Sequence, residues 1–264
     1  MNPMRVGSIF LILAICGFAT AAPAQEPGGP AESEDPARRV VERAVAAMGG
    51  EAYLGMERAA SRGRYFIFRR GGKGFTRFSD WTMYRPHVKW RFQLGKGDRS
   101  STRVIDLELG KGWLLEGKDS VEELPEEEVE EFRRSVKLDL DVLLRDRLDE
   151  EGMSLFYYGP DEVAGRGDFE AVEFVDSSNN GAVVFFDRSS HRPAKMEWYF
   201  RDKNGLRHKE ETEYSNWHTI RGVTLPLRID VYVDDEISSQ RFVEEMEVNP
   251  KFPEGVFEPR RLDD

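Results

Sequence analysis

The four histidines, His87, His191, His208 and His218, are the side chains best suited to hold a metal or move a proton near neutral pH. Their spacing fits neither task. Only His208 and His218 are close in sequence, at a separation no standard metal motif uses, and His208-Lys-Glu-Glu reproduces only part of a zinc-helix signature. They read as surface or loop residues. Carboxylates are plentiful, 49 Asp and Glu together, so pairs suited to glycoside hydrolysis arise by chance and no spacing singles one out. The acidic runs 122–131 and 234–236 lack the alternating oxygen ligands and central glycine of a calcium loop, and read as a solvated helix face and a hairpin tip. No G-x-S-x-G, H-E-x-x-H or G-x-x-x-x-G-K-[ST] segment occurs. The glycine clusters 71–74, 95–98 and 110–112 lack the strand-to-helix setting that cradles a phosphate, and read as turns. No catalytic residue, metal or cofactor is assigned, and the chain reads as a non-enzymatic protein.

The remaining reactive side chain is Cys16, the one cysteine. Arg5 precedes the apolar run 9–15, which gives way to small residues with A-x-A sites ending at Ala21 and Ala24. This is the pattern of a secretory signal peptide over 1–24, and its apolar core is far shorter than the ~20 residues a membrane span needs. Lipidation at Cys16 is the weaker alternative, because the bulky Ile15 stands where a small residue is usual. Cleavage at Ala24 leaves about 240 residues without cysteine, so stability rests on core burial. The formal charge of −11, one unit more negative after loss of Arg5, argues against nucleic acid and against passive docking on an anionic bilayer. The expected compartment is the periplasm.

Residues 25–35 are polar, Pro/Gly-rich and aperiodic, a flexible linker. A single domain is expected over 36–264. Asp35 and Pro36 can start a helix whose Val41, Ala44, Val45 and Met48 share a face until Gly49-Gly50 stops it. A short turn of helix is expected around Tyr53, Leu54 and Met56. The period then changes to two. Strands are expected at 64–70, 75–84, 87–94, 101–106, 111–115, 154–158, 171–175, 182–187, 194–201, 209–216, 225–233 and 240–248, separated by Gly, Asp and Asn turns. Between them Val129, Phe132, Val136, Leu140, Leu143 and Leu144 recur at helical spacing, which predicts one long helix from Pro125 to Leu148 with acids at its start. The fold class is therefore mainly β with α (α+β): about eleven or twelve antiparallel strands with two or three helices covering the sheet.

The clearest alternation sets Val88, Trp90, Phe92 and Leu94 on one face, buried, against His87, Lys89, Arg91 and Gln93 on the other, wet. A sheet this wide curls, and its inner face must be filled by helix, side chains or ligand. Ten large apolar residues from several strands are the candidates to line it: Phe66, Phe68, Trp81, Met83, Trp90, Phe92, Trp113, Leu115, Trp198 and Phe200. Taken singly, each is as well explained by ordinary core packing. Extracting an acyl chain from a bilayer costs about 0.8 kcal/mol per methylene, so a carrier needs an apolar surface of matching extent.

The order of elements, with the helix ending Ala47-Met48-Gly49-Gly50, the strand start Gly222-Val-Thr-Leu-Pro226, and Val248-Asn249-Pro250 followed by Phe257-Glu258-Pro259, resembles the LolA-like family of periplasmic lipoprotein carriers and outer-membrane lipoprotein-sorting proteins. The resemblance covers nearly the whole chain after the signal segment. It implies an incomplete β-barrel of about eleven strands, helices packed at its concave face, and an apolar cavity for a lipid or lipoprotein acyl chain. It implies transient contact with a membrane and no covalent chemistry. An envelope sensor or scaffold binding a protein partner through the same fold is the alternative.

Overall fold

The computed structural model describes residues 35–69, 73–79, 88–95, 100–117, 120–160, 162, 165, 167–202, 204–252 and 254–262. The signal segment, nearly all of the linker, Trp81 and Met83 lie outside them. Within them the periodicity resolves into one open antiparallel sheet of 13 strands. The strands are β1 (Ala59–Arg69), β2 (Lys73–Ser79), β3 (Lys89–Leu94), β4 (Ser101–Asp106), β5 (Lys111–Glu116), β6 (Ser120–Glu123), β7 (Ser154–Tyr158), β8 (Phe169–Val175), β9 (Gly181–Asp187), β10 (Pro193–Arg201), β11 (Arg207–Ile220), β12 (Val223–Val233) and β13 (Glu236–Val248). Two meanders, β1 to β6 and β7 to β13, join where β1 pairs with β13, leaving β6 and β7 as the two edges. The expected strand count falls short by β6, whose Ser-Val-Glu-Glu is wholly exposed and carries no alternation to read.

The helices are α1 (Pro36–Ala47), α2 (Glu51–Leu54), α3 (Glu126–Val136) and α4 (Leu140–Arg145). Asp35 caps α1 by accepting from the Ala37 N–H at 2.9 Å, with Pro36 at the first position. Its buried face of Ala37, Val40, Val41 and Ala44 lies in the main core with Val172, Phe174, Ala182, Val184 and Met196 of the sheet. Gly49 and Gly50, both at positive φ, then turn the chain. An added Cβ on Gly49 would stand 2.2 Å from the Gly222 carbonyl oxygen, so only glycine permits this approach. There the Thr224 N–H donates to the Met48 carbonyl at 2.8 Å. Two of the short motifs behind the family resemblance are thus the two sides of one contact. In the third, Asn249 ties the start of β1 to the end of β13: its Oδ1 accepts from the Glu57 and Arg58 N–H groups at 2.8 and 3.0 Å.

The single long helix expected between Pro125 and Leu148 is two helices. Asp139 is extended and its carboxylate accepts from the Asp141 N–H at 2.9 Å, a new N-cap that restarts the helix as α4. The break lets the halves cover different ground. Val129 of α3 packs with Ile105, Leu107 and Leu124 over β4 and β5. Leu140, Leu143 and Leu144 of α4 join the main core. Tyr53 donates to Asp141 at 2.6 Å, Arg145 bonds the Met56 carbonyl, and Arg147 donates to the Lys137 carbonyl at 2.7 Å and to Asp176 at 3.1 Å. Together α3 and α4 carry the chain from one sheet edge, β6, to the other, β7. Helices therefore fill much of the concave side.

Candidate concave-face site

Directly paired residues in an antiparallel ladder share a face, so the register decides which candidates point inward. Trp90 pairs with Ile105, which pairs with Gly112, and the Gly112 position faces Leu124 and Val129 beneath α3. That face is concave. Trp90 stacks edge-on against Phe132 of α3 at 5.0 Å, and Phe92, two residues on, meets Tyr65 edge-on at 5.7 Å. Across the sheet Trp198 pairs with the core residue Ala182, and Phe200 follows on the same face. The rings of Trp198 and Phe200 are 5.5 Å apart, and Phe200 stacks on His208 at 5.3 Å. Trp90, Phe92, Trp198 and Phe200 are therefore on the concave face.

Four of the other candidates are not. Trp113 pairs with Val104, which pairs with Arg91, and Leu115 pairs with Thr102, all on the opposite face. That face is not wet. Arg91 is 1% exposed and its Nη1 donates to the carbonyls of Val256, Glu258 and Arg260 at 3.3, 3.4 and 3.0 Å, so the C-terminal segment covers it. Burial draws the Arg91 pKa down from its usual value. Phe66 and Phe68 alternate with Tyr65 and stand on the convex side, where Phe66 meets Phe242 at 5.6 Å. The Arg64 and Arg228 guanidinium groups lie over the Phe242 ring at 5.7 and 5.2 Å. The expectation of one shared hollow is corrected accordingly: alternation separates the two faces of a strand but does not say which is concave, and here parts of both are covered.

Two spaces open on the concave side. The first, about 160 Å³, lies between α4 and the sheet, against Trp90, Ile229 and Met246, and holds polar groups that alternation had not marked: Arg241, Tyr214, Asp139 and Asp141. Arg241 bonds the Ser61 hydroxyl, and desolvation lowers its pKa. Desolvation first, then the nearby Asp139, Asp141 and Glu210, drives the Tyr214 phenol well above its ordinary value. This space is the size of a benzene-binding cavity. The second is a cleft of about 950 Å³ at one end of the sheet, between the C-terminal part of α3, the β8–β9 turn and the β10–β11 hairpin. Trp198 and Phe200 lie in its wall with Phe132 and Leu138. Glu210, paired with Trp198 in the ladder, accepts from the indole N–H at 3.1 Å. Burial raises the Glu210 pKa, and the Trp198 bond opposes that rise.

Among the described residues no group of His, Cys, Asp and Glu is placed to hold a metal ion. No described helix is long and apolar enough to cross a membrane. No protein-family model matches the sequence, and no curated protein is detectably similar to it in sequence. Among solved structures, a DUF1329 family protein from Desulfovibrio piger superposes with a TM-score of 0.53 at 12% identity, over 85% of this chain and 98% of that one. A LolA superfamily protein from Nitrosomonas europaea aligns over 84% of this chain and 96% of its own, at 14% identity and a TM-score of 0.42. At 12% identity the likeness to the DUF1329 protein is one of fold alone. The fold class read from the sequence, an open antiparallel sheet with helices against its concave face, is the fold observed.

Proposed function

We propose that this protein is a non-enzymatic carrier, exported to the periplasm, that holds the apolar part of a lipid-like ligand or lipoprotein acyl chain at the concave face. The observation that carries the reading is the cleft of about 950 Å³ with Trp198, Phe200 and Phe132 in its wall. Its volume falls at the upper end of the range for small-molecule sites, about 300–1,000 Å³. The interior cavity is too small to serve alone. Native mass spectrometry of gently purified protein, with displacement of a fluorescent fatty acid, is the test. Co-purifying lipid and saturable probe binding support the carrier; an empty protein that takes up no probe refutes it. Export is checked separately by cell fractionation, with loss of 1–24 from the periplasmic form as the expected result.

One observation favours the scaffold reading. β7 is an edge strand whose Ser-Leu-Phe-Tyr-Tyr has no charge or proline to blunt it, and Phe156 is half exposed. An extended peptide could add to it. Crosslinking in cells that traps a stoichiometric protein on β7, with the cleft empty of lipid, would favour that role.

A further inference from the structure

The inner cavity between α4 and the sheet shares no lining residue with the outer cleft, and the register orders what lies on its floor. Tyr214 of β11 pairs with Ile229 of β12, and Ile229 pairs with Arg241 of β13. One row across the concave face therefore sets a phenol, an aliphatic side chain and a guanidinium side by side. Strands lie about 4.8 Å apart, so the two polar residues stand about 9.6 Å apart at the backbone. Asp139 and Asp141 line the space from the α4 side, and Trp90, Met48 and Met246 supply apolar wall.

Three of the four polar groups are already engaged. Arg241 bonds the Ser61 hydroxyl and has Asp139 as a nearby countercharge. Asp139 accepts from the Asp141 N–H at 2.9 Å, and Asp141 accepts from the Tyr53 hydroxyl at 2.6 Å. Tyr214 differs: among the described residues its hydroxyl has no hydrogen bond, and desolvation together with the nearby carboxylates keeps it a neutral phenol. A desolvated donor without an acceptor destabilises the fold, so the hydroxyl is explained by a partner from outside the chain. Charge narrows what that partner is. Two carboxylates against one guanidinium disfavour an anion, and the guanidinium disfavours a cation. What the row lacks is a neutral acceptor.

From this arrangement we infer that the inner cavity is a second binding site, for a small neutral aromatic carbonyl compound whose ring lies on Ile229 beside Trp90 and whose oxygen accepts from the Tyr214 hydroxyl. Methionine sulfur at the edge of a ring is a favourable contact, which suits the wall to an aromatic guest. The volume of about 160 Å³ takes one ring with a short substituent and is too small for an acyl chain, so the site stands independently of the carrier reading.

NMR titration of isotope-labelled protein tests it, with acetophenone, ethylbenzene and benzoate as probes. Acetophenone is expected to bind at one site, about tenfold more tightly than ethylbenzene, because only the ketone meets the desolvated hydroxyl. It should shift the Trp90 side-chain N–H resonance and leave that of Trp198 in place. Tyr214→Phe, which keeps the ring, is expected to bring acetophenone level with ethylbenzene and leave ethylbenzene binding unchanged. Equal binding of the two by the wild-type protein makes the cavity a plain apolar void and overturns the carbonyl recognition. Tighter binding of benzoate assigns the space to an anion at Arg241 and overturns the neutral ligand. Binding of none of the three overturns the site. Myristate is expected not to compete; if it displaces acetophenone and moves Trp90, the cavity is the inner end of the carrier site and its independence is overturned.

Discussion

The Trp198 indole donates to the Glu210 carboxylate at 3.1 Å within the wall of the cleft. The two residues are direct partners in the β10–β11 ladder, so the bond joins an aromatic surface to a desolvated acid at the point where a ligand chain would lie.

A carboxyl whose pKa is raised on folding binds its proton more tightly in the folded state. Stability from this group is greatest below the unfolded value and is lost as pH rises through the folded one. Glu210→Gln keeps an acceptor for Trp198 and removes the charge. Its melting temperature is expected to exceed that of the wild type at pH 7.5 and to match it near pH 4. Thermal melts across this range check the sign, and a less stable variant at pH 7.5 would contradict it.

His208 shows the same sign of linkage from a different cause, a charged form held by its carboxylate partners. Its Nδ1 lies 2.7 Å from Asp234 and its Nε2 3.6 Å from Asp202, and the Asp234 bond is the main cause of its raised pKa. Its contribution is complete below the unfolded pKa and fades as pH climbs through the folded one. NMR titration is expected to place the His208 midpoint above that of an ordinary histidine, and Asp234→Asn to lower it. An unmoved midpoint would show that Asp234 is not the cause.

Gly49→Ala forces a Cβ to within 2.2 Å of the Gly222 oxygen at a φ of +122°. Strain of this kind costs about 1–3 kcal/mol, before any loss from undocking the end of α1. Urea denaturation should show it, whereas Gly205→Ala, with open space around its Cβ, leaves the packing undisturbed and pays only for its positive φ.

Leu143 of α4 is 1% exposed in the main core. Leu143→Ala is expected to cost about 2–5 kcal/mol. Trp90→Asp places a charge between the core and Phe132 and is expected to abolish folding or ligand uptake. Chemical denaturation and probe binding measure both, and a Trp90→Asp protein with wild-type stability and binding would reverse the assignment of the faces of β3.

Much of the fold was legible because its punctuation is local. β4 and β7 have the bounds read from the sequence, since Asp106 caps the turn after one and Gly159-Pro160 ends the other. The division of the long helix was hidden because Leu138 and Leu140 keep apolar residues running through the break, and only Asp139 marks it. The site was half legible. Trp198 and Phe200 are where a concave-face reading places them, but Phe66, Phe68, Trp113 and Leu115 answer to convex-side neighbours, among them Phe242 and, through Arg91, the carbonyls of residues 256, 258 and 260. Those contacts join residues more than a hundred positions apart, which no local period encodes.

The tryptophan side-chain N–H resonances report ligand entry on each face separately. Titrating isotope-labelled protein with a medium-chain fatty acid should shift the Trp198 resonance saturably and leave that of Trp113 in place. A Trp198 resonance that does not respond, or a shift at Trp113 instead, would contradict a ligand held in the concave cleft.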